Sequence, residues 1–168
     1  MKRLVLVFLL FFSYSISTQI YATDPYPRNL YNNPSYKLIY GHMGRAMYMD
    51  KSSVVHKYSS KDTGLVFAQY EVIADFKWDS YGNPILHNTK EPHIIWFFWP
   101  LNPNRHSYSR VNIDDRDCDL PPWVNDNVAY FSKDDGDHWN PFFINDTHGY
   151  NYSLYEGFWS GVQELSRK

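Results

Sequence analysis

The sequence predicts an α+β fold that is mostly β: an antiparallel sheet, as a sandwich or a half-barrel, packed with one C-terminal helix. Aromatic residues make up 19% of the chain, with 15 Tyr and 6 Trp, and Tyr and Trp are enriched in strands. Apolar residues occupy every even position from 66 to 78, which is typical of a strand. Near the end, apolar residues recur at helical spacing over Leu154–Leu165.

The first half of the chain contains several short strands separated by turns. Strict alternation makes Leu65–Trp78 the clearest strand and indicates one buried and one wet face, with Glu71 on the wet face. The compositions of His42–Arg45 and Ser59–Gly64 favour turns. The other strands predicted here are Tyr36–Tyr40, Ala46–Met49 and Val54–Tyr58, with a break at Asp50–Ser53.

The second half continues the sheet after a strong turn signal at Asp79–Pro84. His93–Trp99 is a continuous apolar run, typical of a central strand covered on both faces. Further strands are expected over Ser107–Ile113 and in a hairpin formed by Val128–Ser132 and His138–Ile144. The spacing of these segments predicts about six to eight strands in total.

The chain ends with a predicted helix over about residues 153–166. Ser153 followed three residues later by Glu156 has the spacing of a capping box. Gly157 and Gly161 lie one helical turn apart. Because glycine has no side chain, this spacing predicts a helix that packs closely against the sheet.

The N-terminus has the layout of a secretory signal peptide covering residues 1–22. Lys2 and Arg3 precede the apolar run Leu4–Phe12, and Ala22 is the expected cleavage site. The run is about half of the roughly 20 residues needed to span a bilayer, so a stable transmembrane anchor is not predicted. We therefore expect an exported protein that is periplasmic, on the cell surface or secreted. Residues 23–35 form an extended lead-in, and residues 36–168 form one β-rich domain.

Net charge and cysteine content limit the possible partners and the possible disulfides. Without Lys2 and Arg3, 14 basic residues remain against 18 acidic ones, a net charge of −4. Such a chain is a poor nucleic-acid binder, since that affinity depends on neutralised phosphates. The single cysteine, Cys118, forms no disulfide within the chain. It is interpreted as a buried thiol, with pairing to another chain as the alternative.

A turn between the last two predicted strands resembles the Asp box, S-x-D-x-G-x-x-W, of sialidase-like propellers. Ser132, Asp134, Gly136 and Trp139 match its positions. In that family the box is structural and lies away from the active site. A propeller would need several boxes, and this chain has one. The match therefore predicts a stiff β-hairpin and no sialidase activity.

Residues 114–137 are rich in aspartate, and two interpretations compete for them. Asp115, Asp117, Asp119 and Asp126 have the spacing of a calcium loop, but Leu120 replaces the glycine of its sharp turn. A solvated acidic loop is the simpler interpretation. The sequence leaves calcium binding open.

No catalytic or cofactor-binding residue is assigned from the sequence. It has no G-x-S-x-G, S-x-x-K or phosphate-loop motif, so enzymatic activity is not supported. His138, Asp146 and His148 are a weak candidate for a transition-metal site, because no paired spacing fixes their geometry. Apart from the open question of calcium at residues 114–137, we assign no metal-binding residue and predict no cofactor.

The six tryptophans supply the candidate for partner binding. Trp78, Trp96 and Trp159 are expected to point into the core. Trp123 follows two prolines in a polar loop and is the best candidate for exposure. Because exposed aromatic residues are enriched at interfaces, Trp123 is the predicted partner-binding residue.

Residues Tyr36–Val55 resemble small exported bacterial domains of the surface-adhesin E-like type. Those domains carry a Y-x-D-x-S-S-I/V step between strands, matched here by Tyr48, Asp50, Ser52, Ser53 and Val54. The match covers about a third of the mature chain. The resemblance implies a compact β-rich envelope domain with an adhesion role and transfers no catalytic residue.

Three functions follow from these observations. The first is a non-enzymatic exported domain that binds an envelope or host protein, or a glycan. The second is a small secreted carbohydrate-active or metal-dependent hydrolase that uses carboxylates of the acidic region. The third is a structural envelope protein. Converging carboxylates in a concave site would favour the hydrolase, and solvated carboxylates beside an aromatic patch would favour the binding domain.

Overall fold

A computed structural model describes residues 25–146 and 151–168. The predicted signal peptide, with its cleavage site at Ala22, lies outside these residues. The described elements are strands β1 Tyr36–His42, β2 Arg45–Ser60, β3 Gly64–Trp78, β4 Pro84–Thr89, β5 His93–Pro100, β6 Ser109–Ile113, β7 Arg116–Leu120, β8 Val128–Ser132 and β9 Asn140–Phe143, and helix α1 Tyr152–Leu165. None of the described helices is long and apolar enough to cross a bilayer.

Seven of the strands form one antiparallel sheet in the order β1-β2-β3-β5-β8-β9, with β4 paired to β3. The sheet curls into a half-barrel, and the fold class predicted from the sequence is confirmed. Strand β3 is its centre: β2 lies along one edge, while β5 and then β4 share the other edge. Strands β6 and β7 form a separate two-stranded hairpin.

Helix α1 covers one face of the sheet. Phe158 is fully buried against the rings of Phe67 and Phe97, with centroids 5.8 Å from each. A Cβ added to Gly161 would lie 2.4 Å from Cε2 of Phe67. The close approach predicted from the two helix glycines is therefore confirmed.

The opposite face of the sheet is covered by two different segments. At one end the β6–β7 hairpin buries Ile113, Cys118 and Leu120 against residues of β3, β5 and β8. At the other end the segment before β1 buries Tyr26 and Leu30 against β2 and β3. Residues 25–35 therefore pack on the sheet, through a bridge to β1 and a short 3-10 turn, Leu30–Asn32.

The prediction of a wet face on β3 is wrong for the middle of the strand. Phe67, Gln69 and Glu71 occupy that face, and each is at most 2% exposed. Alternation identifies the residues that share a face, but α1 comes from the far end of the chain and covers this one. The same two-sided cover buries the middle of β5, as its continuous apolar run predicts.

The predicted break at Asp50–Ser53 is also wrong, since β2 runs through it as one strand with an irregular register against β3. Side chains replace the missing ladder bonds: the Tyr70 N–H donates to Oγ of Ser53 at 2.7 Å, and Oδ1 of Asp50 accepts from the Ser52 N–H at 2.9 Å. Asp and Ser suit a bulge as well as a turn, because both conformations need side-chain acceptors for free N–H groups.

Three further corrections concern element boundaries. Residues 116–120 of the acidic region form β7, because Cys118 and Leu120 alternate inward between exposed aspartates. Strand β4 was not expected, since its mixed sequence carries little strand signal. Helix α1 begins at Tyr152 with Asn151 at the N-cap. Ser153 is therefore inside the first turn and the predicted capping box is wrong; Oε1 of Glu156 accepts from the Tyr152 hydroxyl at 3.0 Å.

Candidate functional site

One end of the sheet carries an open groove of about 780 Å³, formed where the β1–β2 turn meets the end of β3. We call it the Trp78 groove, defined by the residues that line it: Pro25, Tyr26, Gly41, His42, Met43, Gly44, Phe76, Lys77 and Trp78. It combines residues from the N-terminal segment, the β1–β2 turn and β3. These segments are distant in sequence and meet only in the folded chain.

The β1–β2 turn shapes one side of the groove. Met43 and Gly44 form a two-residue hairpin loop in which both have positive φ, 49° and 82°, as a type I′ turn requires. The Phe76 N–H donates to the Gly44 carbonyl at 2.6 Å, and the Gly44 N–H donates to the Tyr26 hydroxyl at 2.7 Å. The turn is thus tied to β3 and to the N-terminal segment. Positive φ in a non-glycine residue such as Met43 is uncommon and clusters at functional sites.

An aromatic cluster forms the other side. The ring of Tyr26 lies 5.4 Å from that of Phe76 and 5.7 Å from that of Trp78. Tyr26 and Phe76 are buried, but Trp78 is 44% exposed and Met43 is 88% exposed. The prediction that Trp78 points into the core is therefore wrong, because β3 extends beyond the segments that cover it. His42 and Lys77 are exposed among the lining residues.

The β3–β4 turn adds exposed apolar side chains at the same end of the sheet. Tyr81 and Ile85 are both largely exposed. The Asp79 carboxylate orders this turn by accepting from the Tyr81 and Asn83 N–H groups, each at 2.8 Å. Hydrogen bonds from Asn83 are the main reason why the pKa of Asp79 lies below its ordinary value. Tyr81 is thus presented by an ordered turn.

Trp123, the residue proposed from the sequence, lies outside this groove. It is half-buried, its backbone N–H donates to the Arg105 carbonyl at 2.8 Å, and its ring packs on His106 with centroids 6.3 Å apart. Trp96 is buried and Trp159 is half-buried. Trp78 is therefore the most exposed of these tryptophans. Its exposure was missed because it continues the apolar even-numbered positions of β3, which alternation assigns to the buried face.

The residues of the Asp-box pattern lie together in the β8–β9 turn. Oδ1 of Asp134 accepts from Oγ of Ser132 at 2.6 Å and from the His138 N–H at 3.0 Å. Gly136 has a φ of 90° and donates to Oγ of Ser132 at 2.8 Å. The hydrogen bond from Ser132, followed by those from His138, lowers the pKa of Asp134 to about 2. The ring of Trp139 packs against Phe98.

This turn brings a serine, an aspartate and a histidine together without forming a catalytic triad. Oγ of Ser132 and Nδ1 of His138 both bond the carboxylate of Asp134, His138 at 2.6 Å. In a triad the imidazole stands between the hydroxyl and the carboxylate, so that it takes the hydroxyl proton. Ser132 is also fully buried. The arrangement orders the hairpin and does not activate a nucleophile.

The carboxylates of the acidic region are spread over the β6–β7 hairpin, the loop after it, which holds Asp126, and the β8–β9 turn. Asp119 accepts two hydrogen bonds from Arg110, at 2.9 and 3.1 Å, and Asp114 pairs with Lys57. Asp117 is exposed on β7. Within residues 25–146 and 151–168, no three His, Cys, Asp or Glu side chains are grouped so as to hold a metal ion. His148 lies outside the described residues. Cys118 is buried, and burial raises the pKa of its thiol.

A second unusual cluster is polar and lies under α1. Glu71 and Gln69 are buried, and Nε2 of Gln69 donates to Oε1 of Glu71 at 3.2 Å. Nε2 of His93 lies 3.7 Å from Oε2 of Glu71. Burial is the main cause that raises the pKa of Glu71 to about 7. The sequence did not predict this cluster, because alternation placed Glu71 on the solvent-exposed face of β3.

Neither a protein-family model, nor a curated protein, nor a solved structure matches this chain. Function is therefore inferred from chemistry. The Trp78 groove offers an aromatic surface beside two exposed basic or titratable side chains, His42 and Lys77. No carboxylate is found among the described residues that line it. Aromatic side chains of this kind are enriched at interfaces, and the described lining does not include the carboxylate pair that glycoside hydrolysis uses.

Proposed function

We propose that this protein is a non-enzymatic, exported bacterial envelope domain that binds a partner protein through the Trp78 groove. The observation that carries the proposal is the exposure of Trp78 on a buried Tyr26–Phe76 support. Tryptophan, tyrosine and methionine are enriched in interface centres, where a few such residues supply most of the binding energy.

The lining of the groove favours a protein partner over a glycan. Glycan recognition uses directed hydrogen bonds to hydroxyl groups, and the described residues of the lining include no Asp, Glu, Asn or Gln side chain to make them. The apolar surfaces of Met43 and Trp78 instead fit apolar side chains. Because Lys77 and His42 lie beside them, the partner segment is expected to carry an apolar anchor next to an acidic residue.

Export is supported by the sequence of the N-terminus and by the surface-adhesin E-like resemblance. Lys2 and Arg3 before the apolar run Leu4–Phe12 have the layout of a signal peptide. The test is N-terminal sequencing of the protein from envelope and medium fractions, which is expected to find chains that begin at Thr23. Recovery of the uncleaved chain from the cytoplasm alone would contradict export.

Partner binding is tested with the exported form of the chain, fluorescently labelled, on envelopes of the source organism. Trp78→Ala is expected to weaken saturable binding by at least about tenfold, the loss typical of a removed hot-spot aromatic. Trp123→Ala is the matched control and is expected to bind like the wild type. Protease treatment of the envelopes should abolish binding. Unchanged binding by Trp78→Ala would refute the assigned groove, and survival of binding after protease would refute a protein partner.

A further inference from the structure

A row of side chains crosses the sheet directly beneath α1. By register, Lys37 on β1 is opposite Met49 on β2, Met49 is opposite Glu71 on β3, and Glu71 is opposite His93 on β5. Met49 and Glu71, at the centre of the row, are buried, while Lys37 and His93 are half-buried. An acidic side chain is therefore held in the interior between the sheet and a helix.

The Glu71 carboxyl has few partners that would stabilise its charge. Oε1 accepts from Nε2 of Gln69 at 3.2 Å, and that amide also donates to the Gly157 carbonyl at 3.2 Å. Nε2 of His93, at 3.7 Å from Oε2, lies beyond hydrogen-bond distance. Oε1 of Gln69 is buried without a hydrogen-bond partner. A buried carboxylate with one shared amide donor is strongly disfavoured relative to the neutral acid.

Helix α1 keeps water away from this carboxyl. A Cβ added to Gly157 would lie 2.9 Å from Oε1 of Glu71, and one added to Gly161 would lie 2.5 Å from Oε1 of Gln69. The two glycines thus allow the helix backbone to rest on the polar pair. Hydration of an ionised Glu71 would require this part of the helix to move away.

We propose that α1 is a pH-sensitive clamp, which packs on the sheet while Glu71 is protonated and opens over Gly157 when Glu71 ionises. The raised pKa of Glu71, about 7, places the change near neutrality. The clamp depends only on residues beneath α1 and not on the Trp78 groove. For an exported chain, the pH that acts on it would be that of the surroundings.

The other charged and titratable groups around Glu71 do not remove this dependence. Burial, and then Lys133, lower the pKa of His93, which favours the neutral imidazole. Lys133 also lowers the pKa of Glu71, but less than burial raises it. Lys37 donates from Nζ to Oγ of Ser160 on the helix at 2.7 Å. Glu156 on α1 is a second carboxylate, bonded by the Tyr152 hydroxyl.

The test is hydrogen exchange of the full exported chain at about pH 5.5 and about pH 8.5, with rates corrected for intrinsic exchange. In the wild type, protection of the α1 amides is expected to fall at the higher pH by at least about tenfold, the equivalent of about one pKa unit. Protection of β3 and β5 should change much less. Glu71→Gln, which mimics the protonated acid, should abolish the pH response, while Glu156→Gln should retain it.

Two outcomes would overturn the clamp: α1 protection that is independent of pH in the wild type, or an equal response in Glu71→Gln. Because Glu71→Gln can fail to fold, a second measurement uses the wild type alone. A carbon NMR titration of the Glu71 carboxyl is expected to give a midpoint near neutrality. A midpoint near the ordinary glutamate pKa of 4.5 would also refute the proposal. Neither experiment involves a partner, so failure of the clamp and failure of the proposed function are distinguishable.

Discussion

The middle and the C-terminal end of β3 place their side chains in opposite ways. Under α1, in the middle of the sheet, the polar side chains of Gln69 and Glu71 are buried. At the Trp78 groove, where the strand ends, a tryptophan is exposed. Both arrangements run against the hydrophobic effect and lower stability. Departures of this kind are expected where a surface or a switch has a function, and they identify the two regions as different kinds of site.

The largest effect is expected from separating α1 from the polar cluster. Gly161→Leu places a side chain where the Phe67 ring and the Gln69 amide already lie, at 2.4 and 2.5 Å from the new Cβ. We expect a loss of at least about 3 kcal/mol in the free energy of unfolding, because neither neighbour can move freely inside the core. Urea denaturation measures this loss.

Gln163→Ala is the matched control on the exposed side of the same helix, and its cost should stay within about 0.5 kcal/mol. If Gly161→Leu were as mild as this control, α1 would not rest closely on the sheet. The middle of β3 would then not be a closely covered polar site, and its contrast with the Trp78 groove would no longer hold.

The second effect is the pH dependence that Glu71 gives to stability. Folding raises its pKa from the ordinary value of 4.5 to about 7, so between these values the folded state binds more protons than the unfolded state. The stabilisation is therefore complete below about pH 4.5 and is lost as the pH rises to about 7. The difference between the two pKa values corresponds to about 3 kcal/mol.

Measuring the free energy of unfolding of the wild type and of Glu71→Gln from about pH 4.5 to about pH 8 isolates this contribution. The other titrating groups, including His93, whose lowered pKa acts in the opposite direction, largely cancel in the comparison. The wild type should lose stability relative to the variant as the pH rises. Parallel curves would show that Glu71 titrates normally and would place it outside the core.

The contrast between these regions also shows what the sequence could and could not predict. Period-2 alternation correctly predicted a buried face on β3 from Val66 to Phe76, except at Tyr70. Helical spacing located α1 to within a residue at each end. The apolar run of β5 correctly predicted cover on both faces. These signals are local, because each depends only on the order of residues within one element.

The candidate sites could not be predicted, because the burial of their residues depends on segments that are distant in the sequence. Glu71 is buried because α1, which lies far along the chain, packs over it. The hydrogen bond from Gln69 to the Gly157 carbonyl, for example, joins residues that are 88 positions apart. Whether Trp78 is buried depends on where the N-terminal segment stops covering the sheet. Strand β7 was missed for a similar reason. Cys118 and Leu120 stand among aspartates, and they are buried only because residues of β3, β5 and β8 pack against them.

The smallest effect on stability is expected at the Trp78 groove. It tests whether Trp78 serves partner binding or the packing of the core. Trp96 is 2% exposed and lies in the core beneath the β6–β7 hairpin, so Trp96→Ala should cost about 3 to 5 kcal/mol. Trp78→Ala removes a half-exposed ring that rests on Tyr26 and should cost only about 1 kcal/mol, since less apolar surface leaves the interior. Urea denaturation of both variants at one pH makes the comparison, with unchanged m-values as the check that the unfolding transition is the same.

If Trp78→Ala cost as much as Trp96→Ala, the ring would be needed for folding, and its exposure would no longer indicate a binding surface. A small loss of stability combined with lost envelope binding would mean that Trp78 serves partner binding and not folding. Glu71 under α1 is the opposite case, because its ionisation lowers the stability of the folded chain.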